Sequence, residues 1–167
     1  MNAKNIVLIG ATIIPLLAGC ALTPVALDPV GPAFAKSKPP TFVSTGQGWL
    51  RVYTATDIVP DGDTSYYYPH TGYRIYTQDG KLLKYVPNHI VDMDESATLL
   101  EIHAGHYKIL AQSERYNAVL VPVTIQPGEI TEVHLGTHWK APSNTPTNEL
   151  VYLPDGRPVG WKSTSTN

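Results

Sequence analysis

The chain has 167 residues, with 12 lysines and arginines against 14 aspartates and glutamates, and a formal net charge of −2. This near-neutral balance lacks the basic footprint of a nucleic-acid-binding protein, and no basic cluster indicates an electrostatic contact with a membrane surface. The roughly 120 residues from residue 47 onward are sufficient for one domain with its own core and too few for two.

The first 19 residues have the pattern of an export signal. A short positive region ending at Lys4 precedes the mostly apolar residues 5–16, and the small residues Ala18 and Gly19 follow. About a dozen apolar residues fit a signal peptide and fall short of the roughly 20 that a membrane-spanning helix needs. We therefore predict a signal peptide over residues 1–19.

Cys20 is the single cysteine of the chain and directly follows this segment. The sequence Leu17-Ala18-Gly19-Cys20 resembles the lipobox of bacterial lipoproteins, in which a leucine and two small residues precede an acylated cysteine. The resemblance implies that Cys20 carries the lipid, that Leu17, Ala18 and Gly19 are recognition positions, and that the membrane is a partner through the acyl chains. Two or three chains make a durable anchor, because each buried methylene contributes about 0.8 kcal/mol. The alternative is an ordinary secretory signal with an incidental or buried cysteine.

The residue after the cysteine bears on localisation. In lipoproteins of bacteria with two membranes, an aspartate at this position retains the protein in the inner membrane, and here the position is Ala21. The resemblance therefore implies an outer-membrane anchor facing the periplasm if the host has two membranes. In a single-membrane host, the same lipid would hold the domain on the outer face of the cytoplasmic membrane.

Residues 20–46 contain many prolines, namely Pro24, Pro29, Pro32, Pro39 and Pro40. Because no helical or alternating pattern continues through them, we predict a semi-rigid linker. Fully extended at about 3.1 Å per residue, it would reach up to about 80 Å from the bilayer. The alternative is a partly ordered arm that packs on the domain through Phe34 or Phe42.

From residue 47 onward, short alternating segments are rich in β-branched and aromatic residues. This pattern favours an all-β fold, a single antiparallel β-sandwich over residues 47–136, because no window sustains a helical period. Turn chemistry occurs at Asp79-Gly80, Ala104-Gly105 and Pro127-Gly128. The pattern predicts seven strands, at about 48–55, 72–77, 82–86, 98–103, 106–112, 118–125 and 130–135.

The alternation also predicts which face of each strand is buried. The expected core residues are Leu50, Val52, Tyr73, Ile75, Leu100, Ile102, Tyr107, Ile109, Ala111, Val119, Val121, Val123, Ile125, Val133 and Leu135.

Two segments carry a second resemblance. Residues 104–111, AGHYKILA, and residues 121–135, VPVTIQPGEITEVHL, are similar to the ending of carboxypeptidase-regulatory-like and prealbumin-like β-sandwich modules. The likeness consists of turn glycines and alternating hydrophobic positions. It implies an Ig-like or prealbumin-like sandwich and a non-catalytic role in folding support, adhesion or ligand binding.

Residues 137–167 are predicted to form a polar loop, a short hairpin and a frayed tail. Residues 154–157, Pro-Asp-Gly-Arg, have turn chemistry between two short apolar runs. Trp161 is expected to pack back on the sandwich.

The stretch Tyr66-Tyr67-Tyr68-Pro69-His70 is the most unusual loop sequence. Clustered tyrosines can form a stacking platform for sugars or an anchor at a protein interface, because each ring combines a large area with a polar tip. Tyr66, Tyr67, Tyr68 and His70 are therefore candidate ligand-binding residues. The alternative is that one or two of the rings fill the end of the sandwich.

Six histidines raise a metal hypothesis. His103 and His106 flank a tight turn, and His134 and His138 lie at a strand end, so the four could serve as ligands if they converge. The alternative is that they are solvated or cross-strand histidines, with no cofactor bound.

Common catalytic motifs are missing from the sequence, which has no G-x-S-x-G, no H-E-x-x-H and no phosphate-binding loop. The acidic residues 92–95 are typical of a solvated loop or a weak calcium site. The sequence therefore predicts a lipid-anchored, non-catalytic module of the cell envelope that recognises a protein or a glycan. The alternatives are a carbohydrate-binding module centred on Tyr66 to Tyr68, and a histidine-based metal-binding or metal-dependent envelope protein.

Overall fold

The computed structural model describes residues 23–33, 46–62, 64–91, 93–136 and 139–164. The predicted signal peptide and lipobox, with Leu17, Ala18, Gly19 and Cys20, lie outside the described residues, as do Phe34, Phe42 and His138. Within the described ranges, no helix is long and apolar enough to cross a membrane.

The described part of the chain contains thirteen β-strands and one short 3-10 helix, Thr147–Glu149. The strands are β1 (Val25–Ala26), β2 (Val30–Gly31), β3 (Gln47–Tyr53), β4 (Val59–Asp61), β5 (Ser65–Tyr67), β6 (Tyr73–Thr77), β7 (Leu82–Val86), β8 (Leu99–His103), β9 (Gly105–Ala111), β10 (Val119–Ile125), β11 (Ile130–His134), β12 (Leu150–Tyr152) and β13 (Pro158–Lys162). The predicted all-β class is confirmed.

The strands form two main sheets in a sandwich-like arrangement. The large sheet has the order β12-β13-β2-β10-β9-β6-β7, with β1 also paired to β10, and the small sheet has the order β11-β3-β8. Strands β4 and β5 form a separate hairpin. The seven predicted strands correspond to β3 and β6 to β11, with boundaries that differ by at most two residues.

The sheets are mixed, although the sequence predicted antiparallel pairing. Strand β11 runs parallel to β3, and both β1 and β2 run parallel to β10. The remaining pairs in the large sheet are antiparallel. Alternation within a strand reports which face is buried and carries no information on the direction of the neighbouring strand.

The core lies between the two sheets and contains most of the residues that the alternation assigned to it. Leu50, Ile75, Ile109 and Val121 are fully buried. Leu100, Ile102 and Tyr107 are only partly buried and pack against this core. Leu100 and Ile102 belong to β8, which is an edge strand of the small sheet and is covered on fewer sides.

Part of the predicted linker belongs to the large sheet. Val25 N and Leu27 N each donate a 3.0 Å hydrogen bond, to Ala118 O and Leu120 O, and Val30 is fully buried beside β10. The prolines in this segment flank the two-residue strands and leave the N–H groups of the strand residues free to pair. Residues 23–33 are therefore an ordered arm of the sandwich, which was the alternative to the predicted linker. Its contacts come from Val25, Leu27 and Val30, whereas Phe34 and Phe42 lie outside the described residues.

The terminal hairpin is also part of the large sheet. Strands β12 and β13 pair with each other as predicted for the turn at residues 154–157, and β13 continues the sheet through β2. A Cβ atom at Gly160 would lie 2.8 Å from Val30 Cγ1 and 2.9 Å from Glu132 O, so this close crossing requires glycine. Trp161 is buried. The predicted boundary after residue 136 therefore does not separate this hairpin from the sandwich.

Candidate functional site

Strands β3 and β11 present a polar and aromatic surface on the side of the small sheet that faces away from the core. In their parallel register Arg51 lies beside Glu132, and Tyr53 lies beside His134. Because alternate residues point to opposite faces, the burial of Leu50 in the core directs these four side chains outward.

Three rings stack at the end of this surface. The Tyr53 and His134 rings are 4.5 Å apart at 8°, and the His134 and Trp139 rings are 4.2 Å apart at 4°. His134 lies between the other two and is only 8% exposed. Tyr53, His134 and Trp139 therefore form one continuous aromatic wall, with Trp139 supplied by the segment after β11.

A second set of backbone contacts places His70 against this wall. Thr71 N donates to Ala55 O at 2.8 Å, so the segment before β6 runs alongside the segment after β3. His70 Nδ1 lies 2.9 Å from Thr54 O, and its ring meets Tyr53 edge-on at 5.7 Å. A carbonyl oxygen only accepts hydrogen bonds, so Nδ1 carries the hydrogen and the Nε2 atom of the neutral ring is an acceptor.

These groups surround a cleft of about 770 Å³. The volume is within the range of small-molecule sites, which are typically about 300–1,000 Å³. The aromatic cleft, as we call it, is lined by Tyr53, Thr54, Thr56, Tyr68, His70, Glu95, Glu114, His134, Gly136 and Trp139.

Two carboxylates reach the aromatic cleft from different loops. Glu95 follows β7, and its Oε1 atom accepts a 2.9 Å hydrogen bond from Tyr68 N. Glu114 follows β9, in a loop held to the segment after β3 by the 3.0 Å bond from Ala55 N to Gln112 O. The described lining contains these two carboxylates and no lysine or arginine.

The buried side chain of Asn88 links the segments around the cleft by hydrogen bonds. Asn88 is fully buried and has a φ angle of 74°, in the left-handed region that asparagine tolerates better than most residues. Its Nδ2 atom lies 2.9 Å from Val52 O and 3.1 Å from Thr54 Oγ1, and its Oδ1 atom accepts a 3.1 Å bond from Thr98 N. One side chain thus connects the end of β3 to both ends of the loop that carries Glu95.

Charges beside the aromatic wall favour ionised Glu132. His134 Nε2 lies 3.8 Å from Glu132 Oε2, and Arg51 Nη1 lies 3.6 Å from Glu132 Oε1. The contact with His134, together with the nearby positive charge of Arg51, lowers the pKa of Glu132 although partial burial opposes the shift.

The structure divides the predicted tyrosine cluster. Tyr68 and His70 line the aromatic cleft, whereas Tyr66 and Tyr67 belong to β5, opposite Pro60 and Val59. Tyr66 is 54% exposed. A hydrogen bond and charge from Asp61 raise the pKa of Tyr67.

The structure does not bring together the three predicted histidine ligands that it describes, and the fourth, His138, lies outside the described residues. His103 pairs with Gln47 at the start of β3 and His134 pairs with Tyr53 at its end, roughly 20 Å apart at about 3.3 Å per residue. His106 lies on the large sheet opposite Thr124. Among the residues that the structure describes, no group of three or more His, Cys, Asp or Glu side chains could hold a metal ion.

Of the ten described residues that line the aromatic cleft, only Tyr68, His70 and His134 were among the predicted site residues. The missed residues include the aromatic and acidic side chains of Tyr53, Glu95, Glu114 and Trp139. The available signals were an outward-facing tyrosine at the end of a strand and a tryptophan in an otherwise polar loop. Glu95 belongs to the acidic run 92–95, which indicated a solvated loop or a weak calcium site, and Glu114 carried no distinguishing signal. Their loops meet only in the folded chain.

Comparisons of the chain with protein-family models, curated proteins and solved structures give no match.

Proposed function

We propose that the protein is a lipid-anchored, non-catalytic binding module of the bacterial cell envelope, and that it holds a ligand carrying an organic cation in the aromatic cleft. The observation that carries this proposal is the aromatic wall of Tyr53, His134 and Trp139 facing a lining with two carboxylates. An ammonium group over an aromatic face is attracted by the ring quadrupole, most strongly for tryptophan.

The aromatic residues have no evident role in the sandwich core. Tyr53 and His134 lie on the outer face of the small sheet, whereas the adjacent Val52 and Val133 are fully buried in the core. The stack covers both faces of the His134 ring, so the outer faces of Tyr53 and Trp139 are the surfaces over which an organic cation would be held.

The cleft is preorganised by hydrogen bonds within the protein. Thr54 Oγ1 donates to Thr71 O at 2.7 Å, and Asn88 holds the same two strand ends. Glu95 is oriented by Tyr68 N at 2.9 Å. A lining that is already fixed loses less conformational entropy when a ligand binds.

Binding can be tested by calorimetry with the full-length chain in a non-ionic detergent. Choline is the cationic probe, and its uncharged analogue, with carbon in place of the ammonium nitrogen, is the matched control. We expect choline to bind about tenfold more tightly, equivalent to about 1.4 kcal/mol of cation–π and carboxylate attraction. Equal binding of the two probes would exclude recognition of the charge.

Variants of two glutamates separate cleft effects from a general change in charge. Glu114→Gln should weaken choline binding, whereas Glu101→Gln, on the exposed part of β8, should leave it unchanged. If an uncharged oligosaccharide binds more tightly than choline and Trp139→Leu abolishes that binding, the cleft is a carbohydrate site instead.

The lipid anchor is proposed from the resemblance of residues 17–20 to a lipobox. Cys20→Ser should abolish incorporation of labelled palmitate, because serine offers no thiolate for diacylglyceryl transfer. Equal label in the two proteins would contradict the anchor. In a host with two membranes we propose the outer membrane, facing the periplasm, and density-gradient separation of the membranes tests this location.

A further inference from the structure

The position of β1 determines which end of the sandwich lies nearest to the proposed anchor. Val25 pairs with Val119, at the start of β10, and its N–H group bonds to Ala118 O. Val25 is five residues after Cys20, and an extended chain spans at most about 3.5 Å per residue, so β1 begins within about 18 Å of the acylated residue. This tether is much shorter than the 80 Å expected for a continuous linker.

The aromatic cleft lies at the same end of the sandwich as the tether. Strand β9 ends at Ala111, opposite Val119, so the loop with Glu114 lies beside β1. Tyr73 at the start of β6 pairs with Val86 at the end of β7, which places the segment before β6 and the loop after β7 there too. We call this the anchor end.

Exposed apolar side chains are concentrated at the anchor end. Six of the nine exposed large hydrophobic residues in the described ranges lie on the β4–β5 region or on the loop after β7, and the other three lie on β7 itself. The six are Ile58, Tyr66, Tyr68, Ile90, Val91 and Met93.

The two apolar loops are neighbours. Tyr68 N bonds to Glu95 Oε1 at 2.9 Å, which joins the β4–β5 region to the loop after β7. Ile90 is 86% exposed, Ile58 is 67% exposed and Met93 is 62% exposed. The loop after β7 is held by Asp94, whose carboxylate accepts bonds from Ser96 N at 2.9 Å and Ile90 N at 3.4 Å. The exposed side chains therefore project from a defined loop.

We propose that the anchor end docks onto the lipid bilayer, with Ile58, Tyr66, Ile90, Val91 and Met93 entering the interface between headgroups and acyl chains. Exposed apolar patches mark protein or membrane contacts. The short tether holds this patch close to the bilayer, which makes the membrane the expected partner. Tyrosine favours the membrane interface because its ring is apolar and its hydroxyl is polar. The proposal rests on the proposed anchor at Cys20.

Charge at the anchor end specifies the kind of membrane contact. The same loops carry Asp61, Asp94 and Glu95, so apolar insertion rather than basic attraction to anionic lipids would supply the binding free energy. Docking would also bring the aromatic cleft toward the headgroup layer. Zwitterionic phosphatidylcholine vesicles are therefore the appropriate probe.

The docking can be measured with the acylated full-length chain in such vesicles, using an environment-sensitive fluorophore on an introduced cysteine. With Cys20 acylated, the label attaches only to the new thiol. Ile90→Cys reports on the anchor end, and Glu129→Cys, an exposed position at the opposite end, is the matched control. We expect vesicles to lower the access of aqueous iodide to position 90 by about threefold and to leave position 129 unchanged.

Each outcome has one interpretation. Replacing Val91 and Met93 by serine should restore iodide access at position 90 without releasing the chain from vesicles. If the chain floats with vesicles and position 90 stays as accessible as in detergent, or if both positions are shielded equally, the docking surface is wrong while the anchor stands. If the chain does not float with vesicles, the anchor and the docking both fail.

Discussion

The two ends of the sandwich differ in how the chain reverses direction. At the end opposite the tether, β6 and β7, β8 and β9, and β10 and β11 are joined by turns of one to four residues. At the anchor end the connections are long and carry the aromatic cleft, the exposed apolar side chains and Asn88. One end is therefore specified by local turn chemistry, and the other by contacts between segments distant in sequence.

The core joins the two ends, so a core defect should destabilise both. Ile109 is fully buried on β9, and Ile109→Ala should lower the free energy of unfolding by about 2 to 5 kcal/mol through lost burial and a residual cavity. Lys108→Ala, at the adjacent outward position, should cost under about 1 kcal/mol although its Nζ atom donates to Gln78 O. Chemical denaturation of the full-length variants measures both. Equal costs would show that the register of β9 is incorrect.

At the anchor end, the largest effect is expected from Asn88. Asn88→Ala leaves Val52 O and Thr98 N without their partner and places alanine at a φ angle of 74°, so we expect a loss of about 3 kcal/mol. The matched control is Asn117→Ala, at an exposed position in the loop after β9, which should cost less than about 0.5 kcal/mol.

A second readout distinguishes loss of the cleft from general instability. Under conditions where Asn88→Ala remains folded by circular dichroism, its choline binding should still be weakened, because Thr54 and the Glu95 loop have lost a common support. Wild-type binding in the folded variant would mean that Asn88 contributes to stability alone.

At the opposite end, a turn substitution should affect stability without affecting the cleft. Gly80 has a φ angle of 87°, and open space surrounds the position of a Cβ atom there. Gly80→Ala should therefore cost about 1 to 2 kcal/mol from backbone strain alone. Gly80→Asn should cost less, because asparagine tolerates the left-handed region. A change in choline binding with either variant would contradict the separation of the two ends.

The sequence predicted the end opposite the tether better than the anchor end, because local turn chemistry specifies the first and contacts between distant segments form the second. Alternation identified Ile75, Ile109 and Val121 as buried because facing a core is a property of each strand, and Asp79-Gly80 identified a turn locally. Tyr68 and His70 could be nominated from composition. Tyr68 and His70 precede β6 and Trp139 follows β11, so these residues meet only in the folded chain. No local pattern could therefore predict the aromatic cleft.

The ordered arm shows a related limit. Prolines at 24, 29 and 32 indicated a spacer, yet the residues between them pair with β10. A two-residue strand is too short to produce alternation, and its pairing depends on an exposed strand edge elsewhere in the fold.

The smallest effect concerns the charge pairs beside the aromatic wall. Contacts with His134 and Arg51 lower the pKa of Glu132 below its usual value. The folded protein therefore binds the Glu132 proton less tightly than the unfolded chain does, so this contribution is present above about pH 4.5 and is lost as the pH falls through the folded-state pKa. Because the side chain is 22% exposed, we expect less than about 1 kcal/mol.

Glu132→Gln should therefore destabilise the protein at pH 7 and have a smaller effect at pH 3, because the stabilisation from ionised Glu132 decreases once the pH falls below the pKa of the unfolded chain. Urea denaturation at the two pH values measures the difference, and Glu101→Gln on the exposed part of β8 controls for the change in net charge. Added salt at pH 7 should reduce the effect, because screening weakens partly exposed pairs. An equal cost at both pH values would mean that Glu132 supports the aromatic wall through packing of its side chain and that its charge does not contribute to stability.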